Sequence, residues 1–381
     1  MIRKWGNDGQ LRGAVFEALV RHWAIVAGYV PIDFPVPPPG DQQLYGLNGL
    51  PMVHGLGEGH NADVLLEYPV RLALSPHTRL LIECKGYAGT IGLPIVRGAL
   101  GLRTDINAFR QLTGPELLRR QVARRPAASP IRHPYYHIAV ASLFGFSDPA
   151  QSYAAAHHIE LLDYAGLPIL GQLAETVSTL SVDRFRPEND AAIAADAEAQ
   201  SLPELASTAL SAALEAGDFG LLTRAFREHH LDRAPGIGDF ERIFGIANPI
   251  RFAYTATLAN GLHVHMLATR ALPLALLNNG QQAGPDLAFR VFYDKGETET
   301  WWLEIDGIRL EFSLPRVLLN VWKETPDVPR GALRIKDQYF RQIDIVGPLE
   351  TADGRKIIRH LVGVLDRQFF LRAMRDAGIG D

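Results

Sequence analysis

Leu80-Leu81-Ile82-Glu83-Cys84-Lys85 ends an apolar run in a carboxylate, a thiol and an amine. Side chains alternate along a strand, so Glu83 and Lys85 share one face while Cys84 points to the other. The run starts at Arg79, after the turn Ser75-Pro76-His77, and a second apolar run over residues 62–68 precedes it. Asp63 stands at the start of that earlier run, just after the glycine-rich stretch His54-Gly55-Leu56-Gly57-Glu58-Gly59-His60, which reads as a loop. If the two runs are neighbouring strands, Asp63 and Glu83 converge and Lys85 lies one pleat further along. A Glu-x-Lys pair alone is commonest on a solvated strand face. Here the charges sit in apolar strands, where an unpaired charge is costly.

Outward from this pair, the pattern alternates between helix and strand. Residues 10–27 place Leu11, Val15, Phe16, Leu19, Val20, Trp23 and Val26 at three- and four-residue steps, which predicts a helix buried over a wide face. Residues 29–36 read as a short strand stopped by Pro37, Pro38 and Pro39. Residues 93–109 are helical by period, 136–143 a strand, 148–157 a helix and 159–162 a short strand. A strand-helix-strand passage favours a parallel pair with a right-handed crossover, so the class is α/β.

Phosphodiester hydrolysis needs the arrangement around Glu83. Asp63, Glu83 and the backbone carbonyl of Cys84 offer hard oxygen ligands to Mg²⁺, for which Mn²⁺ can substitute. Such an ion neutralises charge on a phosphate and lowers the pKa of bound water. A lysine beside it orients or deprotonates that water, or stabilises charge developing on phosphorus.

Asn61-Ala62-Asp63 followed by Ile82-Glu83-Cys84-Lys85 resembles the PD-(D/E)xK signature of restriction-endonuclease-like nucleases, in particular the Mrr-type branch. Gly13-Ala14-Val15-Phe16-Glu17 matches the Gly-x-x-Phe-Glu of that branch's first helix, and residues 138–142, 146–154 and 159–163 resemble its later segments in the right order. The resemblance covers roughly residues 9–170. It implies a restriction-endonuclease-like core of mixed sheet flanked by helices, and a Mg²⁺-dependent endonuclease cleaving DNA in prokaryotic (antiviral) defence. It also implies that Asp63, Glu83 and Lys85 are catalytic and that Glu17 is an additional carboxylate of the site; by its residue type alone Glu17 is equally an exposed helix residue. Ala62 stands where the family has proline, and the spacer between the two strands is long for a simple hairpin.

Between positions 97 and 132 there are eight arginines and no lysine, against only Asp105 and Glu116. The guanidinium fork suits phosphate, which makes Arg97, Arg103, Arg119, Arg120, Arg124 and Arg125 candidate nucleic-acid contacts; a solvated basic face is the plainer reading. His54 and His60 read as exposed loop residues, Cys84 as a buried strand residue, and His157-His158 as a helix-to-strand junction.

The remaining sequence bounds these readings. A chain of 381 residues suggests two domains. The expected division is a nuclease domain over 1–180, a linker over 181–202 and a strand-rich α+β domain over 203–381 of regulatory, nucleic-acid-binding or partner-docking role. In the last of these, residues 252–258, 262–268, 287–293, 300–305 and 308–312 read as strands, with Asp306-Gly307 a hairpin turn, and residues 365–377 as a closing amphipathic helix. One cysteine excludes an intrachain disulfide and a cysteine-cluster zinc site. A net charge of -4 argues against coating nucleic acid by charge alone. No apolar stretch reaches membrane-spanning length, so a soluble, cytoplasmic chain is expected. Two other functional readings stay open. One is a nuclease effector held silent by a partner, Argonaute-like proteins among the candidates, docked on the second domain. The other is a nuclease fold that binds nucleic acid without cleaving it. RNA as substrate and a homo-oligomer are also left open.

Overall fold

The computed structural model describes residues 5–32, 41, 43–47, 50–68, 77–86, 88–109, 134–186, 201–277, 286–294, 300–315, 318–320 and 328–376. Helix α1 (Asp8–Val26) opens on a capping box: the Asn7 side chain accepts from the Gln10 amide and the Gln10 side chain accepts from the Asn7 amide. Its three- and four-residue apolar spacing buries Leu11, Val15, Phe16, Leu19, Val20 and Trp23. The chain then runs through β1 (Val30–Pro31), β2 (Leu44–Leu47), β3 (Leu50–His54), β4 (Gly59–Asn61), β5 (Val64–Glu67), β6 (Thr78–Lys85), α2 (Leu93–Ala108), β7 (Tyr135–Ser142), α3 (Asp148–His157) and β8 (Glu160–Asp163).

Five of these strands form one sheet in the order β1-β5-β6-β7-β8. The pairs β1–β5 and β5–β6 are antiparallel, whereas β6–β7 and β7–β8 are parallel and are joined through α2 and α3. Both faces are covered. Leu80, Ile82, Cys84, Ala139 and Ala141 face α1, while Leu81, Ile138 and Val140 pack with Val96, Ala99 and Ala154 of α2 and α3. That double burial explains the near-continuous apolar runs of β6 and β7.

The glycine-rich stretch is a correction to the sequence reading. It is the tight turn of a small antiparallel sheet, β2-β3-β4, closed by Gly55 N to Glu58 O at 2.7 Å. The expected strand over 29–36 is described only as Val30–Pro31; residues 33–40 lie outside the described residues, as do 69–76 of the long spacer.

After α4 (Leu173–Ser178), residues 187–200 of the expected linker lie outside the described residues. Helix α5 (Leu202–Ala216) is capped by Ser201 and Glu204. It is followed by α6 (Phe219–Glu228) and α7 (Ile237–Ala247). These three helices share one core with α1 through Leu205, Leu210, Leu214, Phe226, Phe240 and Ile243. The helices after the linker therefore complete the first core, and the second core begins near Phe252.

The C-terminal part is richer in strands: β9 (Phe252–Thr257), β10 (His263–Ala268), β11 (Leu272–Pro273), β12 (Asp286–Asp294), β13 (Thr300–Ile305), β14 (Ile308–Phe312), helix α8 (Val328–Tyr339), β15 (Gln342–Glu350), β16 (Lys356–Leu365) and helix α9 (Arg367–Asp376). Pairing runs β9-β10-β14-β13-β12-β16-β15 and returns to β9, which closes a seven-stranded barrel; β11 adds to β15 outside the ring. Asp306 and Gly307, both at positive φ (50° and 71°), form the two-residue turn that matches strand twist. The sequence reading assigns neither β15 nor β16. It extends the closing helix back to Leu365, which is instead the last residue of β16. Among the described residues no helix is long and apolar enough to cross a membrane.

The barrel sits against the β8 edge of the first sheet. The Ile169 amide donates to Glu311 Oε2 at 2.7 Å, Tyr164 Oη meets His265 Nδ1 at 3.3 Å, and His22 Nε2 of α1 meets the Ile250 carbonyl at 3.3 Å.

Candidate active site

The β5–β6 register pairs Val64 with Ile82, which puts Asp63 opposite Glu83 just before β5 begins. Asp63 Oδ2 accepts the Cys84 amide at 2.8 Å. In an extended strand the N–H and C=O of one residue point to the same side, so the Cys84 carbonyl also faces the Asp63 edge. Lys85 Nζ donates to Glu83 Oε2 at 2.7 Å, with both side chains about one-fifth exposed (22% each). The pairing of these two residues on one strand face follows from their two-residue spacing.

Glu17 joins them from α1. A Cβ on Gly86 would lie 2.9 Å from the Arg12 carbonyl oxygen and 3.1 Å from Gly13 Cα. Only a bare backbone lets the start of α1 pass this close to the end of β6. One turn beyond Gly13, Glu17 then reaches the field of Asp63, Lys85 and Glu83. The sequence held this signal, since Gly86 directly follows Lys85, but nothing in it said what the glycine approaches.

Three carboxylates and one ammonium thus converge. Burial, followed by repulsion from Asp63, pushes the Glu17 carboxyl up to about 8, against the pull of Lys85. Burial and Glu83 push Asp63 up to about 6, opposed by the Cys84 N–H and Lys85. For Lys85, burial favours the neutral amine, but the Glu83 hydrogen bond and the nearby acids outweigh it and raise its pKa. The amine is therefore a cation at neutral pH. Burial and the same acids hold the Cys84 thiol well above its ordinary value. Protonated and on the opposite face, it is no nucleophile.

Among the described residues no group of three or more His, Cys, Asp and Glu side chains is poised to hold a metal ion. Mg²⁺ is ordinarily held by one or two carboxylates with the remaining positions filled by water. Asp63, Glu83 and the Cys84 carbonyl match that demand in donor type, and the excess of acid over base matches it in charge.

The arginines fare differently. Arg97 lies over the Tyr153 ring at 5.6 Å, on the outer side of the α2–α3 pair. Arg103 donates to the His157 and His158 carbonyls, both at 2.9 Å, and so ties α2 to the end of α3. Arg119, Arg120, Arg124 and Arg125 lie outside the described residues.

Neither loop histidine is a free-standing surface residue. His54 stacks between Tyr45 and Phe109, with ring centroids 4.0 and 5.3 Å away. His60 Nε2 meets Asp105 Oδ2 at 2.6 Å, and Asp105 also accepts the Gly57 amide at 3.0 Å. Asp105 of α2 thereby pins the β3–β4 turn, one strand ahead of Asp63. Sequence reasoning passed over this brace because its partners are 45 residues apart. His158 does end α3 as a junction residue, in the left-handed region (φ 51°).

No family model and no curated protein matches the chain. A solved structure described as a protein of unknown function, AF1548, is similar over 61% of this chain and 98% of its own, at 13% identity and a TM-score of 0.27. A likeness that distant carries no argument about fold or chemistry. What defines the molecule is its own build: a mixed α/β unit with an acid-rich, lysine-bearing corner, followed by a closed barrel.

Proposed function

We infer that the chain is a divalent-cation-dependent endonuclease that hydrolyses phosphodiester bonds of DNA, with Asp63, Glu83 and Lys85 at its centre. The observation that carries this reading is the convergence of Glu17, Asp63 and Glu83 on one ammonium, at the end of a sheet buried on both faces. Burial, with the neighbouring acids second, holds the Glu17 carboxyl up at about 8 and Asp63 at about 6, so the corner is short of positive charge. Asp63, Glu83 and the Cys84 carbonyl would hold Mg²⁺ or Mn²⁺, and Glu17 would add charge behind them. When bound, the ion would offset phosphate charge and acidify water.

The chain's own residues do the rest. Lys85, kept charged by Glu83, donates hydrogen bonds to a phosphate oxygen and gains strength as charge builds there in the transition state. The Cys84 amide fixes the Asp63 carboxylate so that its second oxygen stays aimed at the same point. A role in defence against foreign DNA, and DNA rather than RNA as the substrate, rest on the Mrr-type resemblance of the first half.

A second reading is a module that binds nucleic acid without cutting it. One assay separates the two. Supercoiled plasmid is incubated with the full chain in Mg²⁺, in Mn²⁺ and in EDTA, beside Lys85→Ala. The nuclease reading expects nicking with either ion, none in EDTA, and a loss of about 10³-fold in K85A. Retarded but intact DNA under every condition would establish the binding module, and wild-type cleavage by K85A would remove this centre from consideration.

A further inference from the structure

On the opposite edge of the sheet from Asp63, β8 and α3 face barrel strand β10 across a cavity of about 350 Å³. This lies within the size range of small-molecule sites. Its walls are apolar, built from Phe146, Ala154, Ile159 and Leu161 on one side and Leu262 and Val264 on the other. Its polar residues include His137, His158, Glu160, His263, His265 and Asp163, beside Gln151 and Ser313. No lysine or arginine lines it, so a phosphate or carboxylate entering it would meet two carboxylates and no cation beyond His263, which is already paired with Glu160.

The polar groups offer both donors and acceptors at short range. Glu160 Oε1 meets His263 Nδ1 at 3.2 Å, across the junction between the first sheet and the barrel. That hydrogen bond raises the His263 pKa and favours its charged, donating form, whereas burial lowers His137 and keeps it neutral. A neutral imidazole both donates and accepts, and a carboxylate only accepts. The edge of a nucleobase presents the matching set, adjacent N–H donors and ring or carbonyl acceptors on a flat apolar body.

A second observation is independent of this chemistry. His158 holds φ 51°, a conformation in which glycine is the cheaper residue, and it is one of the residues that line the cavity. Helix α3 needs only a left-handed cap there, to which an imidazole adds nothing, so the cap does not account for a histidine at this lining position.

We propose that this cavity between β8 and β10 binds a nucleobase or nucleoside through the base edge, with Glu160 and His158 as contacts and the flat ring held against the apolar walls. The proposal does not rest on the cleavage reading, because the binding is measured without divalent cation and in the absence of polynucleotide.

The test is calorimetric titration of the full chain in EDTA with adenosine, guanosine, cytidine and uridine, and with benzoate as a flat anion. At least one nucleoside is expected to bind below about 1 mM, with benzoate at least tenfold weaker. Glu160→Gln and His158→Gly are each expected to weaken that nucleoside at least tenfold. His158→Gly also separates binding from folding, because glycine suits the left-handed cap and its Tm is expected to equal or exceed that of the unaltered chain. No binding by any of the four nucleosides, benzoate binding as well as they do, or unchanged affinity in the folded His158→Gly chain would each overturn the proposal.

Discussion

Strands β6 and β13 show how differently the two halves treat charge. In β13, Trp301, Leu303 and Ile305 point into the barrel core, while Trp302 and Glu304 between them are only partly buried. Packing accounts for the inward residues of that strand, and Glu304 on its outer side pairs with Arg290. β6 is buried on both faces from Arg79 to Ile82 and then ends in Glu83 and Lys85, a carboxylate and an amine that no packing requirement asks for. The lesson is that an ionisable residue is informative in proportion to how apolar its strand is. A charge on the outer face of a barrel strand is expected; two at the end of a doubly covered strand, met by Asp63 and Glu17, call for a chemical reason.

This contrast can be broken most directly by paired substitutions. Asp63→Asn is expected to reduce plasmid cleavage by about 10³-fold, the loss typical of a disabled catalytic group, with Tm unchanged or raised because a buried acid has been neutralised. Trp301→Ala is expected to do the reverse: a loss of about 3–5 kcal/mol in stability from the barrel core, with the rate per folded molecule retained. Denaturant titration and cleavage on the same preparations check both. A Trp301→Ala chain that stays fully folded yet loses activity would mean that the barrel takes part in the chemistry.

A smaller effect is expected from pH. On folding, Glu17 rises from 4.5 to about 8 and Asp63 from 3.8 to about 6. The folded chain therefore holds these protons more tightly than the unfolded one. The stability they contribute is fully present below pH 3.8 and is lost as the pH climbs through 6 and 8. Without divalent cation, Tm is expected to fall across that window, and to fall less in Glu17→Gln. Mg²⁺ is expected to restore Tm more at the alkaline end than at the acid end. Equal pH slopes for the two chains would show that the Glu17 carboxyl is not held above its ordinary value. The smallest effect lies in the barrel: Gly307→Ala, at φ 71°, is expected to cost roughly 1 kcal/mol, read as a shift in denaturant midpoint at constant cleavage rate.

Much of the first unit was legible because local pattern and tertiary demand agree there. The helices at 8–26, 93–108 and 148–157 announce themselves by period, and the charges ending β6 mark the site. The Asp306-Gly307 hairpin was legible for the same reason, since its turn residues admit few other conformations. The barrel was half legible. Strand β15 contains Gly347 and Pro348, which read as breakers. Gly347 is in fact required: a Cβ there would lie 2.3 Å from Tyr254 Cδ1. Pro348 is tolerated because β15 pairs with β9 only over Asp344–Val346, which leaves the proline outside that ladder. Partners far apart in sequence, such as His60 with Asp105 or Glu160 with His263, leave no local trace at all. The packing of α5–α7 onto α1 was hidden for the same reason, because composition marks a linker without saying which core the next helix joins.

One helix touches both halves of the molecule. Along α1, Glu17 faces the acid corner, and five residues later His22 meets the Ile250 carbonyl at the threshold of β9. At a rise of about 1.5 Å per residue the two contacts are about 7.5 Å apart on a single stiff rod. Such a rod does not bend over that span; it tilts or slides as one piece. α1 therefore ties the acid corner and the approach to β9 to one stiff element, whose first turn is fixed by the capping box at Asn7 and Gln10.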